Sequence, residues 1–326
     1  MEEIKQVIKQ YRMISDSSLR IYSQNIAKLA NGITGKAYEN SDFLLDIDRV
    51  LEEIKDKSLS TKKNYLASVL VFLNPAGYNT FEEKLEPVIK TYNKLLKEYH
   101  TSYMAKIEEQ HKTAKESKNW VTIEDLMKVN KKLKNEVRRM GITLNCLQIS
   151  DKYKLDTLQK YVVSSLYLYH PPRRCEYGDM EIISKAKYEA LPEAVREYNN
   201  FLVVAGRTAT KKFFSFGKFK NRNSIGFQKI SIKKSLNTVL NLWLKHNPTR
   251  HLLLDSRGNK MSRNSLSKYL CRVFENTGVN ISANMLRHIY LSEKYGNEST
   301  YKEKQEDATA MAHSVQVQQQ HYVKVD

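Results

Sequence analysis

No run of about 18 consecutive apolar residues occurs in this chain, which excludes a long membrane-spanning helix. The opening residues, Met1-Glu2-Glu3-Ile4-Lys5, are charged and lack the apolar core of a secretory signal, so an intracellular, unsecreted protein is expected. Cysteine is scarce. Cys146, Cys175 and Cys271 show no metal-ligand spacing and leave one thiol over in any disulfide scheme, which points to reduced thiols. The eight histidines show no paired ligand spacing, and no acidic triad suggests a two-metal nuclease. A GxxxxGK[ST] phosphate loop is also missing, so nucleotide hydrolysis is not expected. No cofactor or metal is implied. There is no internal repeat, and the short Gln316–Gln320 patch is the one hint of low complexity.

Acidic residues are missing where they would matter most. None falls between Glu197 and Asp255, a stretch holding Arg207, Lys211, Lys212, Lys218, Lys220, Arg222, Lys229, Lys233 and Lys234. The net charge is +18, and its placement is uneven. Residues 1–118 carry 19 basic and 17 acidic side chains, against 35 and 19 in residues 119–326. A stripe of one sign attracts a polyanion with salt-sensitive, sequence-independent affinity. A surface that needed only solubility would usually mix both signs, so a polyanion and not a membrane is the expected partner, with a solvated basic surface as the alternative.

The first hundred residues read as helices. One begins near Ser17-Ser18 and carries Leu19, Tyr22, Ile26 and Leu29 at helical spacing. A second spans Phe43 to Ile54. A third is capped by Ser60-Thr61 and stopped by Pro75 and Gly77, and a fourth runs from Glu83 to Met104 with an interruption near Pro87. The polar stretch Glu108–Lys118 reads as a linker. This gives a helical domain over 1–107, a linker over 108–118 and a second domain over 119–326. In the second domain Thr122 to Asp125 has capping-box composition, and a helix from Asp151 to Tyr169 is closed by Pro171-Pro172. Period-two strands follow at 200–204, 212–216 and 225–232, with Asn221–Ser224 as a hairpin turn. Helices return at 236–245, 265–276, 283–295 and 301–312. The expected fold is mainly α with a small antiparallel sheet, an α+β class.

Late in the chain lies a set of residues with one shared chemistry. Pro171-Pro172-Arg173-Arg174-Cys175-Glu176-Tyr177 follows an apolar helix, Met285-Leu286-Arg287-His288 comes later, and His313 and Tyr322 stand nine residues apart near the end. Guanidinium groups are planar, always charged and bidentate, which suits the extra negative charge on a phosphodiester under attack. A lysine can protonate the leaving oxygen. A tyrosine can act as nucleophile. Such a set can clamp a phosphodiester, cleave it and hold the product covalently.

In this order the residues resemble the tyrosine recombinase (phage-type integrase) family, and the Pro-Pro-Arg-Arg form looks most like integrases of virophages and related DNA-virus elements. The resemblance covers the C-terminal two thirds well and the N-terminal third in outline. It implies a helical core-binding domain over 1–107 that grips DNA, and a catalytic domain over 119–326. Arg173, Lys220, Arg287, His313 and Tyr322 match the family's catalytic positions, with Glu176 and Asn284 in support. Arg174 leaves the register of the first arginine open. Lys218 is the alternative to Lys220, with Lys211 and Lys212 also in the running, and Lys218, Arg222, Lys211 and Lys212 are expected DNA contacts. The implied activity is site-specific DNA integration and recombination through a 3′-phosphotyrosine, by a homotetramer on DNA and with accessory DNA-bending proteins.

The family's H-x-x-R box usually opens with a histidine, and here that position holds Asn284. Asparagine bonds a phosphate but takes no proton, so water, another side chain or the cationic pocket must activate the phenol. His288, next in line, is expected to be structural. Tyr322 is expected on a mobile edge that swings it into place, and only Val323-Lys324-Val325-Asp326 follows it, too little for an exchanged helix between protomers. Two rival readings remain: a type IB topoisomerase-like enzyme and a DNA-binding relative with weakened catalysis.

Overall fold

The computed structural model describes residues 1–74, 85–295 and 300–324. The chain divides into two compact units, Met1–Glu109 and Gln110–Asp326.

In the first unit, the helices Glu2–Tyr11, Asp16–Thr34, Ile47–Glu53, Leu59–Leu73 and Glu86–Glu108 bury one stripe each. Side chains set three of the starts: Ser15, Asp46 and Ser58 accept from the backbone N–H three residues on. Ser58, rather than Ser60-Thr61, is therefore the cap of the Leu59–Leu73 helix. The expected stop at Pro75 and Gly77 and the expected start at Glu83 lie outside the described residues. Pro87 sits in the first turn of its helix, where a missing N–H is harmless, and it does not interrupt that helix. The Glu2–Tyr11 helix was not foreseen. It is short and polar overall, and it contributes Ile4 and Ile8, four apart, to a core with Leu29, Leu66 and Val69.

The second unit is helical around a four-stranded sheet of order β1 (Glu181–Ser184), β2 (Asn200–Val204), β3 (Lys212–Phe216), β4 (Gln228–Ser231). The mainly α, α+β class is as expected. The sheet, however, is mixed: β1 pairs parallel to β2, while β2–β3 and β3–β4 are antiparallel. The expected hairpin turn is a short helix, Arg222–Ile225, ended by Gly226 at φ +82°, and β4 starts at Gln228 rather than Ile225. Among the described residues, no helix is long and apolar enough to cross a membrane.

The helix Lys152–Leu168 runs through the core with ten buried residues. Its buried Gln159, Ser164 and Ser165 are matched. Gln159 exchanges hydrogen bonds with both the N–H and the C=O of Leu254, at 2.7 and 2.9 Å. Ser164 and Ser165 accept from Asn130, which in turn accepts from Tyr169. Buried polar groups of this kind cost little only when every member is paired. With this helix fixed, the loop after Pro172 emerges at one defined place.

Candidate active site

Five pieces of the second unit build the site. They are the loop 171–177, the connection from β3 to β4, the helix Ala283–Lys294, the end of the helix Tyr301–Ala310, and a π-helical turn, Gln318–Tyr322. Arg173, Arg287, His313 and Tyr322 are brought together, all buried.

Arg287 has no exposure at all. Its Nη1 donates to the carbonyls of Pro172 (3.0 Å) and Met311 (2.9 Å), and its Nη2 donates to His313 Nδ1. Arg173, 2% exposed, donates from Nη1 to Ala310 O (2.7 Å) and Gln228 Oε1 (2.9 Å). Its guanidinium carbon lies 3.8 Å from the centre of the Phe216 ring. Burial lowers the pKa of both arginines.

Four consecutive carbonyls at the end of the helix Tyr301–Ala310 accept from side chains of the site. Thr309 O takes Gln228 Nε2, Ala310 O takes Arg173, Met311 O takes Arg287, and Ala312 O takes Asn221 Nδ2. Helix C-termini leave their last carbonyls without partners and partly negative; here that end organises two cations. The chain turns out of the helix through Ala312, which adopts φ +58°, a left-handed conformation unusual for a residue with a Cβ. That turn sets His313 against the Tyr322 ring, stacked at 5.1 Å and 20°.

Because arginine can only donate, His313 Nδ1 must accept, and the imidazole proton then sits on Nε2. Burial, then Arg287 and Arg174, push the His313 pKa down to about 3, so the ring is neutral. Its Nε2 is buried without a hydrogen-bond partner among the described residues, as are Arg173 Nε and Nη2 and Arg287 Nε. One buried carboxylate, Glu176, lies 3.9 Å from Arg173 Nε. Burying an ion costs several kcal/mol, and a hydrogen bond to a charged group returns roughly 1.5–3 kcal/mol. Two or three such bonds per arginine leave unmatched donors and surplus positive charge, the properties of an oxyanion site.

Tyr322 lies between cations. Arg287 sits 4.4 Å from the centre of its ring, and Arg174 Nη2 donates to its hydroxyl at 3.2 Å. The segment around it is tied to the helix Ala283–Lys294, with Tyr322 O accepting from His288 Nδ1 (3.1 Å) and Ser292 Oγ (3.4 Å). The backbone N–H of Lys324 donates to Ser292 Oγ at 2.8 Å. Tyr322 is thus seated in its own chain's site, where the sequence suggested a mobile edge. His288, expected to be structural, is half-buried and bonded to the Tyr322 backbone carbonyl.

The lysines divide. Lys218 and Lys220 are exposed on either side of Phe219, which is buried and 5.3 Å from the Arg173 guanidinium carbon. Asn221, bonded to Ala312 O, follows Lys220 directly. Asn200 Oδ1 accepts from the N–H groups of Gly217 and Lys218 and so holds the base of this connection. A Cβ on Gly217 would come within 2.3 Å of Glu197 O. Lys211 is exposed. Lys212 is not available to DNA: it is 2% exposed and donates to Arg207 O and Asn237 Oδ1, both at 2.8 Å. Arg222 is half-buried and paired with Glu197 at 2.9 Å. Asn284 is exposed on the first turn of its helix.

Sequence reading missed Gln228, Asn221 and the helix-end carbonyls, and it had no role for Arg174 beyond an ambiguity of register. Gln228, a polar residue on the buried face of a period-two strand, was the available signal. Backbone carbonyls leave none.

No protein-family model matches the chain, and no curated protein matches it either. Among solved structures, it is similar to the crystal structure of XerA recombinase, with a TM-score of 0.39 and 10% sequence identity over 100% of this chain and 94% of that one.

Proposed function

We propose that this protein cleaves and rejoins double-stranded DNA through a covalent 3′-phosphotyrosine at Tyr322, acting as a site-specific recombinase that integrates a viral or mobile genome. The observation that carries this reading is a buried phenol packed against Arg287 and His313, with N–H groups of Arg173, Arg287 and His313 unpaired among the described residues. Those donors suit the nonbridging oxygens of a phosphodiester, where charge grows as the bond to Tyr322 forms. Lys220, exposed beside the Arg173 layer, is the proposed acid for the departing 5′-oxygen. Religation runs the same steps in reverse, with the 5′-hydroxyl as nucleophile. Bond energy is conserved in the phosphotyrosine, so no external energy source enters.

The acid-free stripe from 198 to 254 supports phosphate attraction, and the helical unit Met1–Glu109 is the proposed second DNA grip. Exchange between two duplexes breaks four strands. With one tyrosine per protomer, this calls for a tetramer on DNA.

A covalent trap on nicked DNA carrying candidate sites tests the reading. A denaturant-resistant adduct that Tyr322→Phe abolishes is the expected outcome. Relaxation of supercoiled plasmid without a defined site would instead make the chain topoisomerase-like. Tight DNA binding with no adduct on any site would favour a DNA-binding relative, a reading that Asn284 in place of a proton acceptor makes specific.

A further inference from the structure

We infer that Arg174 is a further catalytic residue, the cation that stabilises negative charge on the Tyr322 oxygen as it attacks. The inference rests on the phosphoryl-transfer reading above and concerns how the nucleophile is activated.

The phenol needs activation, and the groups placed to act as base do not reach its oxygen. Asn284 is exposed on the first turn of its helix and takes no proton. His288 directs Nδ1 to the backbone carbonyl of Tyr322 and Nε2 towards Glu116, 3.3 Å away. His313 lies against the ring face, its Nδ1 already accepting from Arg287. Arg174 makes an end-on contact instead, Nη2 to Oη at 3.2 Å. Its backbone is fixed independently, because Arg174 O accepts from Tyr167 Oη at 2.6 Å. Half-buried, the guanidinium is partly shielded from the water that would screen it.

Such a contact strengthens as the oxygen gains charge, so it favours the reacting state over the resting one. Arginine stays protonated, so it is not the base. As the Oη–P bond forms and the P–O5′ bond breaks, the phenolic proton passes to solvent water or hydroxide. The 5′-oxygen takes its proton from the lysine side of the site.

The test compares Tyr322 with 3,5-difluorotyrosine at the same position, in the full chain, with and without Arg174→Ala. Adduct formation on the nicked trap substrate is timed in all four proteins. Arg174→Ala is expected to slow the native phenol on the order of 10²–10³-fold, the range for loss of one oxyanion donor. The loss should shrink at least tenfold with the fluorinated phenol, which ionises more readily and needs less help. Arg174→Lys should recover part of the rate, and DNA affinity and melting temperature should stay near wild type. An equal loss with both phenols would overturn the inference while leaving the phosphotyrosine reading intact. So would an Arg174→Ala protein as fast as wild type. Absence of any adduct from the unmodified protein would remove the reading and the inference together.

Discussion

Arg287 donates from Nη2 to His313 Nδ1 and thereby decides which imidazole nitrogen keeps its proton. The histidine becomes a neutral donor through Nε2, beside the Tyr322 ring it also stacks on. With its pKa near 3, His313 does not titrate anywhere near neutral pH. Arg287→Lys keeps a charge but loses the fork that reaches Pro172 O, Met311 O and His313 at once. It should slow adduct formation at least 10²-fold. His313→Gln retains an N–H donor and should lose less than His313→Ala, a comparison read directly in single-turnover adduct assays.

Two buried histidines should make stability acid-sensitive. His170 Nε2 accepts from the Lys233 N–H at 3.0 Å, and burial drives its pKa down to about 4; His313 falls lower still. Both are lowered from about 6.5, so the unfolded chain binds more protons than the folded one as pH drops below that value. The stability they contribute is complete above about pH 6.5 and is lost on acidification towards pH 4 and 3. His170→Gln, which preserves an acceptor without a titration, should flatten the slope of unfolding free energy between pH 6.5 and 4.5 in urea titrations. An unchanged slope would assign the acid sensitivity elsewhere.

Ala312 offers a test of backbone strain. Its left-handed φ costs about 1 kcal/mol or more for a residue with a Cβ, while its buried methyl returns about 0.8 kcal/mol. Ala312→Gly should therefore leave the melting temperature within a few degrees of wild type. Ala312→Val adds a β-branched group at the same φ in a closed space, and should cost about 2–3 kcal/mol. It should also displace His313, so its adduct rate should fall further than its stability alone explains.

Gln228 joins Arg173 to the helix end, accepting from Nη1 and donating to Thr309 O at 2.7 Å. Gln228→Leu keeps the bulk and removes both bonds, at about 1–3 kcal/mol. Slower cleavage with nearly unchanged DNA affinity is expected, because Arg173 keeps its charge and loses its aim. Equal losses in both would show Gln228 to be a folding residue only.

The lysines separate in one experiment. Lys220→Ala should lower cleavage about 10²–10⁴-fold, and a DNA substrate with sulfur at the bridging 5′ position, which leaves without a proton, should restore the rate. Lys212→Ala should instead lower stability, since its ammonium bridges Arg207 O and Asn237 Oδ1, and sulfur should rescue nothing. Rescue of Lys218→Ala alone would move the acid by one side of Phe219.

Much of the architecture was legible because it rests on periodicity. The helices around Leu158, Leu240 and Leu286 and the strands around Val203 and Phe214 follow apolar spacing that local sequence carries. β1 was not, because Glu181–Ser184 is only half-buried and pairs parallel with a strand well along the chain. Arg173, Arg287, His313 and Tyr322 were picked out by their order, their spacing and the resemblance these carry, and the structure buries all four side chains in one place. The fate of Lys212 was hidden, since a lysine in a basic stripe gives no sign that Arg207 O and Asn237 will enclose it. Arg173 and Arg174 look alike in sequence, and what tells them apart is the fold, which sets Tyr322 Oη against Arg174 Nη2.

The four carbonyls from Thr309 to Ala312 carry no side-chain identity. Any residues able to wind a helix to this end would offer the same acceptors to Gln228, Arg173, Arg287 and Asn221, and Thr309 itself is exposed. Mutation can rewrite Thr309 without disturbing what holds the arginines, whereas Met311 and Ala312 are buried and held by packing.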